Sequence, residues 1–308
     1  MKNIKSFFKK HGIAKGIGII KRYLILKLIY EPFNVKRKWI KINGYYLLLD
    51  FETEGISEGL YVMGSREILE TEVVKEVVKE GDVCLDVGAN IGYYCFLEAV
   101  NTKSRIYVFE PDKRNIDILK KALKRNKFEN INVYEMAMAD KKGFQKMYET
   151  KASNLNTFVK QNNFKGKSVL IETTAVDEFL KYKDVDFIRM DIQGFEYEVF
   201  SGMDKLIKSK KPLKIMIEFH FFAYSKERDF MKKLQLLEKN NFKAKYLVTN
   251  EKPYAKLMKS KGYVPLKIVN DSPNIRALYK NIKIKDLIDL SKLDERESIV
   301  RAVLFERK

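Results

Sequence analysis

Residues 81–95 read GDVCLDVGANIGYYC, a run with three glycines and no basic side chain in a chain otherwise rich in lysine. Val83-Cys84-Leu85 is a short apolar stretch that reaches Asp86 where a buried strand should end. Gly88, Ala89, Asn90 and Gly92 follow, and then an apolar segment, residues 93–100, that is long enough for a helix. This order predicts a buried strand, a tight glycine turn and a helix N-terminus.

Outward from that turn the pattern alternates. Strands are predicted at residues 104–109, 131–138, 186–190 and 213–219. Helices are predicted at 112–126, with Asp112 as N-cap, at about 195–208, and at 225–239. Strands alternating with helices imply an α/β chain with a parallel sheet covered on both faces. Upstream, residues 66–79 carry a helical apolar stripe, and residues 39–51 hold Asn43-Gly44, a two-residue hairpin turn. Residues 142–174 read as a less regular insertion that could cover one edge of a site, and 242–248 and 298–305 as further strands. The organisation expected is a basic extension with a hairpin over 1–65, a core over 66–250, and a C-terminal extension over 251–308 that completes the sheet edge.

The 308 residues are 45% hydrophobic and 33% charged, enough for one large domain with extensions or two small ones. Two cysteines, Cys84 and Cys95, exclude a disulfide framework and point to a reducing, cytoplasmic setting. With histidine only at positions 11 and 220, no zinc site of the His/Cys kind is expected, and no metal is indicated. The formal charge of +19 is part lysine-rich surface and part concentrated in residues 1–41, which hold twelve basic side chains and one acid, Glu31. Clustering of one sign implies an anionic partner, whether nucleic acid, acidic lipid or acidic substrate. Residues 17–30, IGIIKRYLILKLIY, are too short and too charged to span a bilayer, and no signal cleavage site follows. A basic amphipathic helix there could lie on a membrane surface or pack on the main domain.

In an open parallel sheet, ligands bind beyond the carboxyl ends of the strands. The glycine turn falls at that edge. Its spacing, Asp86-x-Gly88-x-x-x-Gly92, is neither the dinucleotide G-x-G-x-x-G nor a P-loop. A carboxylate at the strand end repels phosphate and suits a cationic ligand. The second strand ends Phe109-Glu110-Pro111, and an acid there can accept both hydroxyls of a ribose. A turn that only closes a strand–helix corner, with a solvated Glu110, is the plainer alternative.

Asp86-Val87-Gly88-Ala89-Asn90-Ile91-Gly92, Phe109-Glu110-Pro111, Asp191-Ile192-Gln193-Gly194-Phe195-Glu196 and Ile217-Glu218-Phe219-His220 together resemble the FkbM family of S-adenosylmethionine-dependent methyltransferases. The resemblance runs from about Gly81 to Val248. One departure is Gln193, where the family usually has an acid. The resemblance implies a doubly wound, mostly parallel sheet of seven strands of the class I methyltransferase type, the last antiparallel and supplied by residues 298–305. It implies S-adenosyl-L-methionine as cofactor and methyl transfer to a hydroxyl of a sugar, glycan or natural-product-like acceptor. Asp86, Gly88, Asn90 and Gly92 would surround the amino acid part and sulfonium, Glu110 would hold the ribose, and Asp140 would meet the adenine.

Methyl transfer from a sulfonium is an in-line displacement, and an alcohol attacks well only when a base takes its proton. Asp191, at the end of the fourth strand, and His220, at the end of the fifth, are the candidates for a polar pair around the acceptor hydroxyl. Glu196 fits the dipole of its own helix. Two other readings stay open on the sequence. A nucleic-acid methyltransferase suits the basic charge, but no RNA-binding module or Asn-Pro-Pro-Tyr element is present, so nucleic acid is not the expected partner. A non-catalytic protein could use the same fold to meet acidic membrane through residues 1–41.

Overall fold

The computed structural model describes residues 12–52, 55–160, 164, 166–181, 183–220, 223–271, 274–292 and 300–308. His11, Lys2, Lys5, Lys9 and Lys10 of the basic arm and residues 298–299 of the expected last strand lie outside them.

The chain begins with α1 (Ile13–Ile25), whose end widens into a π-helical turn at Leu26–Tyr30. The hairpin β1 (Arg37–Ile42) and β2 (Tyr45–Asp50) follows. Asn43 and Gly44 both take positive φ, 49° and 92°, the mirror-image turn whose twist matches paired strands. Two helices, α2 (Ile56–Met63) and α3 (Ile68–Val77), lead to β3 (Cys84–Val87) and α4 (Tyr93–Thr102). Then come β4 (Ile106–Phe109), α5 (Lys113–Asn126), β5 (Ile131–Tyr134), β6 (Ala137–Ala139), β7 (Gly143–Tyr148) and β8 (Ser168–Ala175). The one-turn α6 (Val176–Phe179) precedes β9 (Phe187–Met190), α7 (Glu196–Ser201), α8 (Asp204–Lys208) and β10 (Leu213–Glu218). The remainder is α9 (Phe230–Lys239), β11 (Lys243–Asn250), α10 (Glu251–Ser260), β12 (Lys267–Asp271), β13 (Asn274–Ile282), α11 (Ile284–Lys292) and β14 (Val300–Arg307).

The main sheet has nine strands in the order β12-β13-β11-β14-β10-β9-β3-β4-β5. From β5 to β10 the pairing is parallel, and β14 runs antiparallel between β10 and β11. The expected count of seven is corrected to nine because β13 and β12 extend the β11 edge antiparallel. A large apolar cluster lies on each face of the sheet. Alternation along β3 sends Leu85 and Val87 to one cluster and Cys84 to the other, so Asp86 shares the Cys84 face.

Two expected elements are divided. The strand predicted over 131–138 leaves the main sheet after Tyr134, and Ala137–Ala139 pairs with β8 in a separate sheet of order β6-β8-β7. The 142–174 insertion is bounded by the antiparallel pair β7 and β8, joined by residues 149–167, of which 161–163 and 165 lie outside the described residues. The helix predicted over 195–208 breaks at Gly202, where a Cβ would stand 2.2 Å from the carbonyl oxygen of Ala139. The backbone of β6 passes so close there that only glycine fits.

Candidate functional site

The site begins where β3 stops. The Gly88 and Ala89 amides both donate to the Phe109 carbonyl at the end of β4, at 2.9 and 3.3 Å. Gly88 holds φ at +86°, and a Cβ there would lie 2.3 Å from the Asp191 carbonyl oxygen. Only glycine lets the ends of β3 and β9 approach this closely. Asn90 also takes a left-handed φ of 53°, and Gly92, at 96°, caps α4.

Glu110 turns toward this loop. Its Oε2 accepts from the Asn90 amide at 2.7 Å, and its Oε1 accepts from the Asp112 amide at 2.9 Å and the Asn115 side chain at 3.2 Å. Burial pushes its carboxyl up to about 7 against the pull of these hydrogen bonds. Asp112 caps α5 as the sequence predicts, accepting from the Arg114 amide at 2.8 Å.

Asp86 is fully buried, and its environment is one the sequence reading missed. On the neighbouring parallel strand β9 its register partner is Arg189, on the same sheet face. Arg189 Nη1 stands 3.5 Å from Asp86 Oδ1, and Nη2 stands 3.4 Å from Asp191 Oδ2. Its guanidinium lies 3.7 Å over the Tyr94 ring. Burial raises the Asp86 carboxyl to about 6, with Arg189 opposing the rise. The signal for Arg189 was present in the sequence as one charged residue inside the apolar strand Phe187-Ile188-Arg189-Met190, where burial demands anionic partners.

At the ends of β9 and β10 a second array forms. His220 Nδ1 donates to Glu196 Oε1 at 2.8 Å, and its Nε2 lies 3.7 Å from Asp191 Oδ1. Glu196, fully buried on α7, also accepts from the Tyr224 hydroxyl at 3.0 Å and the Gly194 amide at 3.1 Å. It therefore fixes the histidine ring rather than serving only its helix dipole. Burial disfavours the imidazolium, but Glu196, Asp191 and Glu218 outweigh it and lift His220 to about 9. Gln193, with φ at 52°, donates from Nε2 to Asp191 Oδ1 at 3.1 Å. An ionised acid at that position could not make this bond.

The raised His220 implies a pH dependence. A group whose folded pKa lies above its unfolded value of 6.5 stabilises the fold fully below that value and loses the effect as pH climbs through about 9. The contribution is about 3 kcal/mol. Thermal melts from pH 6 to 10 should show this loss in the native chain and a flatter profile in His220→Gln; identical profiles would contradict the assignment.

Gly88, Asn90 and Asp191 share a small cavity of about 40 Å³ with Arg189, Arg66 and Asn154. Ile56, Arg66 and Asn154 also line a neighbouring cavity of about 520 Å³. Asp86 and Glu110 line neither; they stand behind the turn. Asp140 is not brought to the site. Because the chain has already left the main sheet after Tyr134, Asp140 is exposed in a separate groove with Asp177 and Lys181. Asp191, Glu218 and His220 each offer a ligand atom within 4.8 Å of the others, a spacing that could hold a divalent cation. Arg66 already supplies positive charge there, held protonated against burial by Glu67, Asp191 and Glu218.

The turn suits a nucleoside sulfonium donor. Gly88, Ala89 and Asn90 line the small cavity beside the Asp191 carboxylate, so backbone and an anionic group face the space where a cationic donor would sit. No curated protein matches the chain. Among solved structures, TYW2 of M. jannaschii in complex with AdoMet aligns with 17% identity and a TM-score of 0.41, over 89% of this chain and 87% of that one. Trm5b of Pyrococcus abyssi aligns with 13% identity and a TM-score of 0.38, over 80% of this chain and 56% of that one. An rRNA methylase from Streptococcus thermophilus aligns with 13% identity and a TM-score of 0.36, over 71% and 98%. No described helix is long and apolar enough to cross a membrane. The FkbM methyltransferase domain matches residues 86–244, just over half of the 308, and with the glycine turn at the start of that match the chain belongs to this family of S-adenosylmethionine-dependent methyltransferases.

Proposed function

We propose that this enzyme methylates a hydroxyl of a sugar, glycan or natural-product-like acceptor, with Asp191 and His220 around that hydroxyl. The observation that carries this reading is the Glu196–His220–Asp191 array at adjacent strand ends, beside the glycine turn. S-adenosylmethionine, when bound, supplies an electrophilic methyl group on a sulfonium. Gly88, Asn90 and Gly92 would present backbone to its amino acid part. Glu110 would lie nearest the ribose while holding the Asn90 amide, and Asp86 would act through Arg189.

The two candidate bases now have different parts. A histidine that keeps its proton to about pH 9 donates at neutral pH. The proton acceptor in this reading is Asp191, with His220 orienting the hydroxyl and Glu196 orienting His220. The neighbouring cavity gives the acceptor room, and Ser65, Arg66 and Asn154 in its wall suit a hydroxylated molecule.

Turnover of sugar and glycan acceptors, followed against pH, tests the roles. With Asp191 as base, activity should fall above about pH 9 as His220 loses its proton; a rise there would make His220 the base instead. His220→Gln should depress turnover about 10²-fold while donor affinity, read by calorimetry, stays near the native value. A gel shift with tRNA at physiological salt addresses the nucleic-acid reading. Tight, salt-sensitive binding together with methylation of the RNA would replace the hydroxyl-acceptor assignment.

A further inference from the structure

We propose that α1 and the turn after it dock on a bilayer that contains anionic lipid. The helix is held to the protein by one face. Gly16, Ile19 and Leu26 are buried, and Arg22 Nε donates to the Val62 carbonyl of α2 at 2.8 Å. The other face is apolar and open. Ile13, Ile17, Ile20 and Leu24 are spaced by four, three and four residues, which places them on one stripe of a helix. They are 72%, 56%, 40% and 47% exposed, and Leu28 and Phe33 continue the patch at 66% and 77%. Single exposed apolar residues are ordinary, but a contiguous stripe of them marks an interaction surface.

Charge selects the partner. Lys21 is exposed beside the stripe, one residue after Ile20, and residues 1–41 hold twelve basic side chains against one acid. A nucleic acid or acidic protein would engage the lysines and leave the isoleucines in water. The interface of an anionic bilayer takes both, with apolar side chains entering the acyl boundary and ammonium groups meeting lipid phosphates. The helix also sits on α2, whose Ile56, Gly59, Leu60 and Met63 line the 520 Å³ cavity beside the donor turn. Docking would hold that cavity near the membrane surface, whatever the acceptor is.

Flotation of the full chain with phosphatidylcholine vesicles, with and without phosphatidylserine, tests the proposal. The native chain should float with the phosphatidylserine vesicles and be released by high salt. The double variant Ile17→Asp/Leu24→Asp should lose about tenfold or more of this binding. Lys21→Gln should lose about fivefold on phosphatidylserine vesicles and little on phosphatidylcholine alone. The substituted side chains are exposed, so melting and turnover of a water-soluble acceptor should stay native; that turnover also separates this proposal from the acceptor assignment. A native chain that stays soluble with both vesicles, or an aspartate variant that floats as well, overturns it. So would a vesicle-independent dimer that Ile17→Asp/Leu24→Asp dissociates, because the stripe would then belong to a second copy.

Discussion

Exchange of Gly88 for alanine should nearly abolish donor binding and lower stability by about 2–4 kcal/mol. The added Cβ meets the Asp191 carbonyl oxygen at 2.3 Å and the Ile192 side chain at 2.8 Å, and the backbone there holds φ at +86°. The atom cannot be absorbed by a flexible side chain, because its nearest neighbour is backbone at the end of β9. The turn and Asp191 must separate, and the array around His220 shifts with them. Gly81 supplies the control, since its φ is +92° but nothing lies within 4 Å of its added Cβ. Gly81→Ala should cost about 1 kcal/mol and leave donor affinity alone. Calorimetric titration with S-adenosylhomocysteine, paired with thermal melts, reads both effects. Native affinity in Gly88→Ala would remove the turn from the donor site.

The second large effect belongs to Asp191→Asn, which should lower kcat about 10²–10⁴-fold. The amide keeps the shape and can still accept from Gln193, but it neither takes a proton from an alcohol nor balances Arg189. It also removes one of the carboxylates that raise His220, so the alkaline limb of the pH profile should move to lower pH. Rapid-mixing measurements of single turnovers would separate the chemical step from acceptor binding. Undiminished single-turnover rates would exclude Asp191 as the proton acceptor.

Local features were the most legible in the sequence. The Asn43-Gly44 turn, the Asp112 cap and the glycine bend after β3 each depend on a few adjacent residues, and the backbone follows them. Pairing between distant segments left weaker marks. Residues 131–138 read as one strand, but they divide between two sheets at Tyr134, and this carries Asp140 away from the donor turn. Periodicity cannot show which sheet a strand joins. The β12 and β13 edge is likewise a matter of long-range ladders, with charged residues interrupting the apolar pattern. At the site, Asp86 and Glu110 were readable as acids at strand tips, but their orientation was not. Asp86 answers to Arg189 across the sheet, and Glu110 answers to backbone amides, partners that no spacing in the sequence reveals.

The position of β14 bears on how the molecule assembles. Val303 and Phe305 are fully buried between β10 and β11, segments that leave the ribosome well before them. Until residues 300–307 arrive, the nascent chain carries two open ladder edges in the middle of its future sheet. Closure by so distant a segment is slow, and the gap is a ready template for pairing with another chain. Shielding of this slot until residues 300–307 emerge should therefore raise the yield of folded chain.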